Sequence, residues 1–409
     1  MLLRRPVAAA LLGLALVAGA QARTDAPAAH HYVQVQLGGA QKAPIGGRLL
    51  LFVTSAAAAK AETKDGKVEE VDVNPLQPDQ TLVAAREIAR LAPGETVNLD
   101  ADDIAFPGPL AKLPPGDYLV QAVLDANHNY NYSGRGPGDV VSEVTPLHLP
   151  AASLPTLQLT KTLPAREAWT LPPSAPKEMR DAVAGAREHA QAIDFVSPAL
   201  SAFWGRPIHM RGWVLLPPDY DAKKAERYPV VYYTHGFGGG GDRLYGPIVN
   251  SYVATGKGEM PPMIWVFLDE SSPTGTHEFA DSVNNGPWGK ALTEELIPSL
   301  EKQYRMDGKP QGRFLNGHSS GGWATLWLQT RYPKVFGGTW STSPDPSDFH
   351  DFTGVDLYLS NANAYRKPDG SANPLIRDKG KVLATFEQYA KLERVLGEYG
   401  GQLASFDWV

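Results

Sequence analysis

Two runs of nearly uninterrupted apolar residues, PVVYYTHG (229–236) and PMIWVFLDE (262–270), constrain this chain more than any other feature. A strand with one wet face alternates polar and apolar side chains. A strand with almost no polar position must be covered on both faces, as inside a parallel sheet flanked by helices. Helical patterns stand between and after these runs, clearest in KALTEELIPSLEKQYR, where Leu292, Leu296, Leu300 and Tyr304 recur every four residues. Strands alternating with helices predict an α/β region with a mainly parallel sheet, opened by the alternating, more exposed strand IHMRGWVLLP.

Earlier residues follow another grammar. Short alternating runs such as YVQVQL, RLLLFVT, ETVNLDA and GDYLVQAVLDA, broken by Gly, Pro, Asn and Asp, predict an all-β, sandwich-like unit over 23–165. The Pro- and Ala-rich LPAREAWTLPPSAP and the polar KEMRDAVAGAREHAQAI then predict a linker with one helix over 166–204, and the α/β unit takes 205–409. A chain of 409 residues accommodates this at ~150 residues per domain.

The N-terminus has a basic start (Arg4, Arg5), an apolar stretch from Val7 to Ala20 and the small-residue site Ala20-Gln21-Ala22. This predicts a signal peptide over 1–22 and an exported, periplasmic or secreted protein with no membrane attachment after cleavage. The apolar stretch falls short of the ~20 residues that span a bilayer. With no cysteine in the chain, disulfides and thiolate chemistry are excluded. A net charge of −6 without runs of like charge gives no basic field for nucleic acid.

Chemistry is concentrated in RFLNGHSSGGWATLWLQTRYP, which reads as strand, tight turn and helix. In a GxSxG nucleophile elbow the serine sits on a strained turn, and the positions two before and two after it must lack side chains. Ser319 satisfies this with Gly317 and Gly321, whereas Ser320 would have His318 at the first of those positions. Ser319 is therefore the candidate nucleophile, and Ser320 offers a backbone N–H. The loop THGFGGGGD after the first apolar strand supplies the second candidate oxyanion donor, the Phe237 N–H, beside His235. The same loop matches GxGxxG at Gly236, Gly238 and Gly241, a rival dinucleotide reading. Its weak point is the next acid, Asp269, which lies 28 residues past Gly241 (269 − 241) against an expected ~20.

With both elements in place, the C-terminal half resembles the putative-esterase family of α/β hydrolases, which includes enterochelin esterases, feruloyl esterases, S-formylglutathione hydrolases and mycolyltransferases. The resemblance rests on LLPPDYD, YPVVYYTHGFGG, EELIPSLEKQYR and GHSSGGWATLWLQTRYPKVFGGTWSTSP and covers about Arg211 to Pro344. It implies an α/β-hydrolase fold and carboxylic-ester hydrolysis, with Ser319 as nucleophile, Phe237 and Ser320 as oxyanion donors and no cofactor or metal. In such folds the triad acid and histidine follow the serine on later strands. Only His350 lies beyond the elbow, so two expectations stand. In one, the α/β unit is cut short and its acid and base lie past Val409; in the other, the chain is complete and either His350 serves with Asp345 or Asp348 or catalysis is lost.

Two further stretches carry polar clusters. DANHNYNYSGRGPGD sets Asp125, Asn127 and Asn129 at calcium-loop positions, but Tyr130 and Gly136 occupy the places of the required Gly and Glu, which favours an Asx-rich turn. GTHEFADSVNNGPWG places His277 and Trp288, with His235, as candidate substrate-pocket residues; exposed loop residues are the alternative. The functional expectation is a serine esterase acting on a small-molecule or carbohydrate-linked ester. An acyltransferase of the same fold is an alternative, as is a non-catalytic carbohydrate- or ester-binding protein.

Overall fold

A computed structural model describes residues 30–39, 41–222, 225–272 and 275–397. The expected signal peptide and the strand-like QLASFDWV lie outside the described residues.

The first part of the chain forms a nine-stranded sheet. Its pairings are antiparallel except where Tyr32–Leu37 runs parallel to Leu157–Thr162. Alternation along Ile45–Ser55 shows why residues 49–53 of this strand are all apolar. Leu49, Leu51 and Val53 enter one core with Val33, Val35, Leu37, Val120 and Leu124, while Leu50 and Phe52 enter a second core on the opposite face. Strands from both ends of the strand order share the first core, so the sheet curls upon itself. Unlike two separately bonded layers, its strands form one connected hydrogen-bonded network.

The second core is closed by a helix from the far end of the chain, Phe386–Leu396, through Leu392, Val395 and Leu396. Arg48 is buried beneath it and donates to the Val395 carbonyl from Nε at 3.1 Å and Nη2 at 2.9 Å, and to the Arg394 carbonyl at 3.3 Å. These bonds satisfy carbonyls that a helix C-terminus leaves without partners. The segment KVLAT ahead of this helix is a strand (Lys381–Thr385) paired with Pro374–Asp378.

The second sheet has six strands: β1 (Ala190–Val196), β2 (His209–Leu215), β3 (Val230–Thr234), β4 (Ile264–Leu268), β5 (Arg313–His318) and β6 (Gly338–Thr342). Their order is β1-β2-β4-β3-β5-β6. The β1/β2 and β2/β4 pairs are antiparallel and the other three parallel. The sheet thus begins at Ala190, inside the segment read as linker. The preceding helix Lys177–His189 packs Met179, Ala182, Val183 and Ala186 against Leu215, Ile248, Val249 and Phe267. β3 and β4 are buried as their sequences require, and Leu292, Leu296 and Leu300 lie in the core. The helix carrying those leucines is wound as a π-helix over Ala291–Leu296, just ahead of Pro298. Among the described residues no helix is long and apolar enough to cross a membrane.

From β3 the chain goes first to β4 on one side and then to β5 on the other. Loops leaving the carboxyl ends of two such strands diverge and open a crevice, where ligands bind in open α/β sheets. The loop 235–241 leaves β3 here and Ser319 leaves β5 here.

Candidate active site

β5 ends at His318 and the next helix begins at Ser320, so Ser319 alone makes the turn. Its backbone sits at φ 58°, ψ −128°, a region that residues bearing a Cβ rarely occupy. Both flanking glycines are required by contact. A Cβ at Gly317 would lie 2.2 Å from the Gly321 carbonyl oxygen, and one at Gly321 would lie 2.4 Å from the carbonyl oxygens of Thr234 and His235. The turn is fastened by the Ser319 N–H donating to Thr342 O at 3.1 Å and by Thr234 Oγ1 donating to Gly321 O at 2.7 Å.

The HGFGGGGD loop abuts this serine. A side-chain carbon on Gly236 would stand 3.9 Å from Ser319 Oγ. Gly239 N–H donates to Gly236 O at 3.0 Å, closing a turn around Phe237 and Gly238. Among the described residues the N–H groups of Phe237 and Ser320 have no acceptor. Two free backbone donors flanking a strained serine can together receive negative charge on an oxygen bound there.

Asp269, at the end of β4, ties the loop down. It accepts from Gly241 N–H at 3.1 Å, Ser271 N–H at 3.0 Å and Ser271 Oγ at 2.5 Å, with His235 Nε2 3.4 Å away. Burial opposes ionisation here, but the hydrogen bonds that Ser271 donates from its hydroxyl and its N–H outweigh it and hold the Asp269 carboxyl well below the usual range. These bonds occupy the acid that a ribose would need, which counts against the dinucleotide reading, although the 3-10 turn Gly241–Leu244 leads directly into the helix Tyr245–Gly256.

The three candidate pocket residues are all enclosed. His235 is 2% exposed, and its Nδ1–H donates to Gly236 O at 2.7 Å while Nε2 accepts from Glu270 N–H at 3.0 Å, which assigns the neutral Nδ1–H tautomer. His277 stacks on Trp288 at 3.6 Å between ring centroids, and burial pushes it down to about 3. His277 and Trp288 are therefore internal although Val283 between them is 90% exposed, and the loop is pinned at Glu270 O by His277 N–H at 3.0 Å and Thr276 Oγ1 at 3.1 Å. At the calcium-like stretch, Asp125 accepts from the amides of Asn127, Asn129 and Tyr130 at 3.2, 3.3 and 2.9 Å, an Asx-type turn.

His350 does not meet Asp345 or Asp348 through its ring. Its Nδ1 faces Asp356 at 3.2 Å on an exposed turn, while Asp348 accepts its backbone N–H at 2.9 Å. Among the described residues no imidazole or carboxylate is hydrogen-bonded to Ser319 Oγ.

Residues 203–392 match a family model described as Putative esterase. This segment is similar to that family. Over 119 residues the chain is 29% identical to an endo-1,4-beta-xylanase/feruloyl esterase of Xylanibacter ruminicola, covering 28% of this chain and 16% of that protein. It is similar to a ferulic acid esterase structure from Anaeromyces mucronatus at 24% identity, covering 38% of this chain and 59% of that one with a TM-score of 0.31. A Staphylococcus aureus S-formylglutathione hydrolase structure is 15% identical, with 36% and 54% covered and a TM-score of 0.28. The chain thus spans less than two thirds of these relatives.

Sequence reasoning missed a cluster of acids in the esterase segment. Glu270 and Glu278 are 0% and 1% exposed. Burial, with added repulsion from Glu278 and Asp269, pushes the Glu270 carboxyl well above the usual range. Burial and Asp345 push Glu278 up to about 9, and burial raises Asp345 itself against the pull of His318. Glu278 and Phe279 both adopt positive φ, 49° and 52°, which non-glycine residues rarely take. The acidic pair ending IWVFLDE was the available signal, but an acid after an apolar strand usually marks its exit into solvent.

Proposed function

We propose that this chain is an exported serine esterase that hydrolyses a carboxylic ester, on a small molecule or linked to a carbohydrate, through an acyl-enzyme on Ser319. The observation that carries the reading is the strained turn at Ser319, with two unengaged backbone donors beside it. Ser319 Oγ attacks the ester carbonyl carbon and gives up its proton to a base. The carbonyl oxygen becomes an oxyanion held by the Phe237 and Ser320 N–H groups, each contributing roughly 2.7–4 kcal/mol of transition-state stabilisation. Collapse expels the alcohol, which takes the proton, and water then cleaves the acyl-serine. All ten histidines of the sequence lie among the described residues, and none of them is hydrogen-bonded to Ser319 Oγ.

The test is turnover of p-nitrophenyl acetate by the intact protein, with the acetylated peptide identified by mass spectrometry. The reading expects an acetyl group on Ser319 and loss of turnover in Ser319→Ala. Undiminished turnover in that variant would sink it.

A further inference from the structure

The loop that bears Phe237 is held from outside its own sheet. The stretch DANHNYNYSGRGPGD, which belongs to the first sheet, reaches it at three points. The Tyr132 ring meets the Phe237 ring edge-on at 4.7 Å and 70°. The Tyr132 carbonyl presses so closely on Gly238 that a Cβ there would lie 2.6 Å from its oxygen, and Gly238 has φ +76°. Arg243, just after the glycines, donates to the Ser133 carbonyl.

The segment making these contacts is itself rigid. Asp125 and Asp139, 1% and 0% exposed, accept five amides between them: Asn127, Asn129 and Tyr130 on Asp125, and Ala126 at 3.3 Å and Gly136 at 2.7 Å on Asp139. Asn127 Nδ2 bridges to the Pro137 carbonyl at 3.0 Å, and Asn131 Nδ2 reaches the Glu393 carbonyl of the closing helix at 3.4 Å. A free surface turn would not require such bracing. A support that must hold a glycine-rich loop to a fraction of an ångström would, because glycines supply no side-chain packing of their own.

We propose that Tyr132 is a positioning residue for the oxyanion loop, through which the first sheet fixes the direction of the Phe237 N–H and so forms part of the esterase machinery. This rests on the assignment of Phe237 as an oxyanion donor. Tyr132 acts through its ring and carbonyl. Its hydroxyl is buried with the Gly238 backbone N–H beside it, a further contact of this residue with the loop.

The experiment compares the intact protein with Tyr132→Ala and Tyr132→Phe by hydrogen exchange and by p-nitrophenyl acetate kinetics. In Tyr132→Ala the amides of 237–241 should exchange at least about tenfold faster while those of β3 do not. kcat should fall roughly 10- to 100-fold with KM within about twofold, as expected for a partly misplaced donor. Tyr132→Phe, which keeps the ring against Phe237 and loses only the hydroxyl beside Gly238, should show a much smaller change in both. Unchanged exchange at 237–241, a loss confined to KM, or an equal loss in Tyr132→Phe overturns the proposal. If the wild type shows no turnover dependent on Ser319, the esterase reading fails, and the exchange result still decides whether Tyr132 holds the loop. Should Tyr132→Ala not fold, Tyr132→Leu replaces it under the same criteria.

Discussion

Replacing Glu278 by Gln should make the protein more stable at high pH relative to wild type and much less so at low pH. Glu278 is 1% exposed, and its carboxyl, ordinarily near 4.5, is pushed up to about 9 by burial and by Asp345. In the folded protein it therefore keeps its proton across a range in which the unfolded chain has lost it. The unfolded state binds fewer protons there, so stability falls as pH rises: the contribution is fully present below about 4.5 and is lost by about 9. The slope is about 1.4 kcal/mol per pH unit, so between pH 5 and pH 8 wild type should lose about 4 kcal/mol that Glu278→Gln, which cannot ionise, retains. For a unit of ~200 residues this is roughly 8–16 °C in Tm. Any fixed cost of placing an amide at this site cancels in the difference between the two pH values. Differential scanning calorimetry of both proteins at pH 5 and pH 8 measures it. An equal wild-type-to-variant gap at both values would show that Glu278 ionises alike in folded and unfolded chains, and would refute the reasoning.

Gly317→Ala would place a carbon 2.2 Å from Gly321 O and 2.5 Å from Thr234 Oγ1, forcing the elbow to shift. A loss of roughly 1–3 kcal/mol by urea unfolding is expected, with ester turnover down about 100-fold; normal turnover would contradict the packing argument. Asp269→Asn removes the carboxylate that gathers Gly241 and Ser271 and should lower kcat roughly tenfold with little change in KM, whereas a pure KM effect would assign it to substrate contact. Arg48→Met should destabilise the protein by about 2–3 kcal/mol, because the Val395 and Arg394 carbonyls lose a buried charged donor; an unchanged urea midpoint would count against it.

The choice of Ser319 over Ser320 could be made from sequence because it is a steric rule local to five residues, and the contacts at Gly317 and Gly321 are the rule in physical form. The apolar runs at β3 and β4 were readable for a similar reason, since burial on both faces leaves no polar position. β1 was hidden because AQAIDFV is a partly exposed edge strand following directly on the helix Lys177–His189, so its pattern merges with the helical one. The destination of Phe386–Leu396 was hidden too: its apolar stripe is plain in sequence, but nothing local says that it covers Leu50 and Phe52, more than three hundred residues away. The same holds for Tyr132 against Phe237, where a loop reading could find the turn but not its partner.

The central claim is that Ser319 is the activated nucleophile, and covalent labelling tests it most directly. The intact protein, Ser319→Ala and Ser320→Ala are each treated with a fluorophosphonate probe, and the modified residue is located in the peptide containing NGHSSGG. The account predicts a single adduct on Ser319 in wild type and in Ser320→Ala, and none in Ser319→Ala. An adduct on Ser320, or labelling that persists in Ser319→Ala, would contradict it.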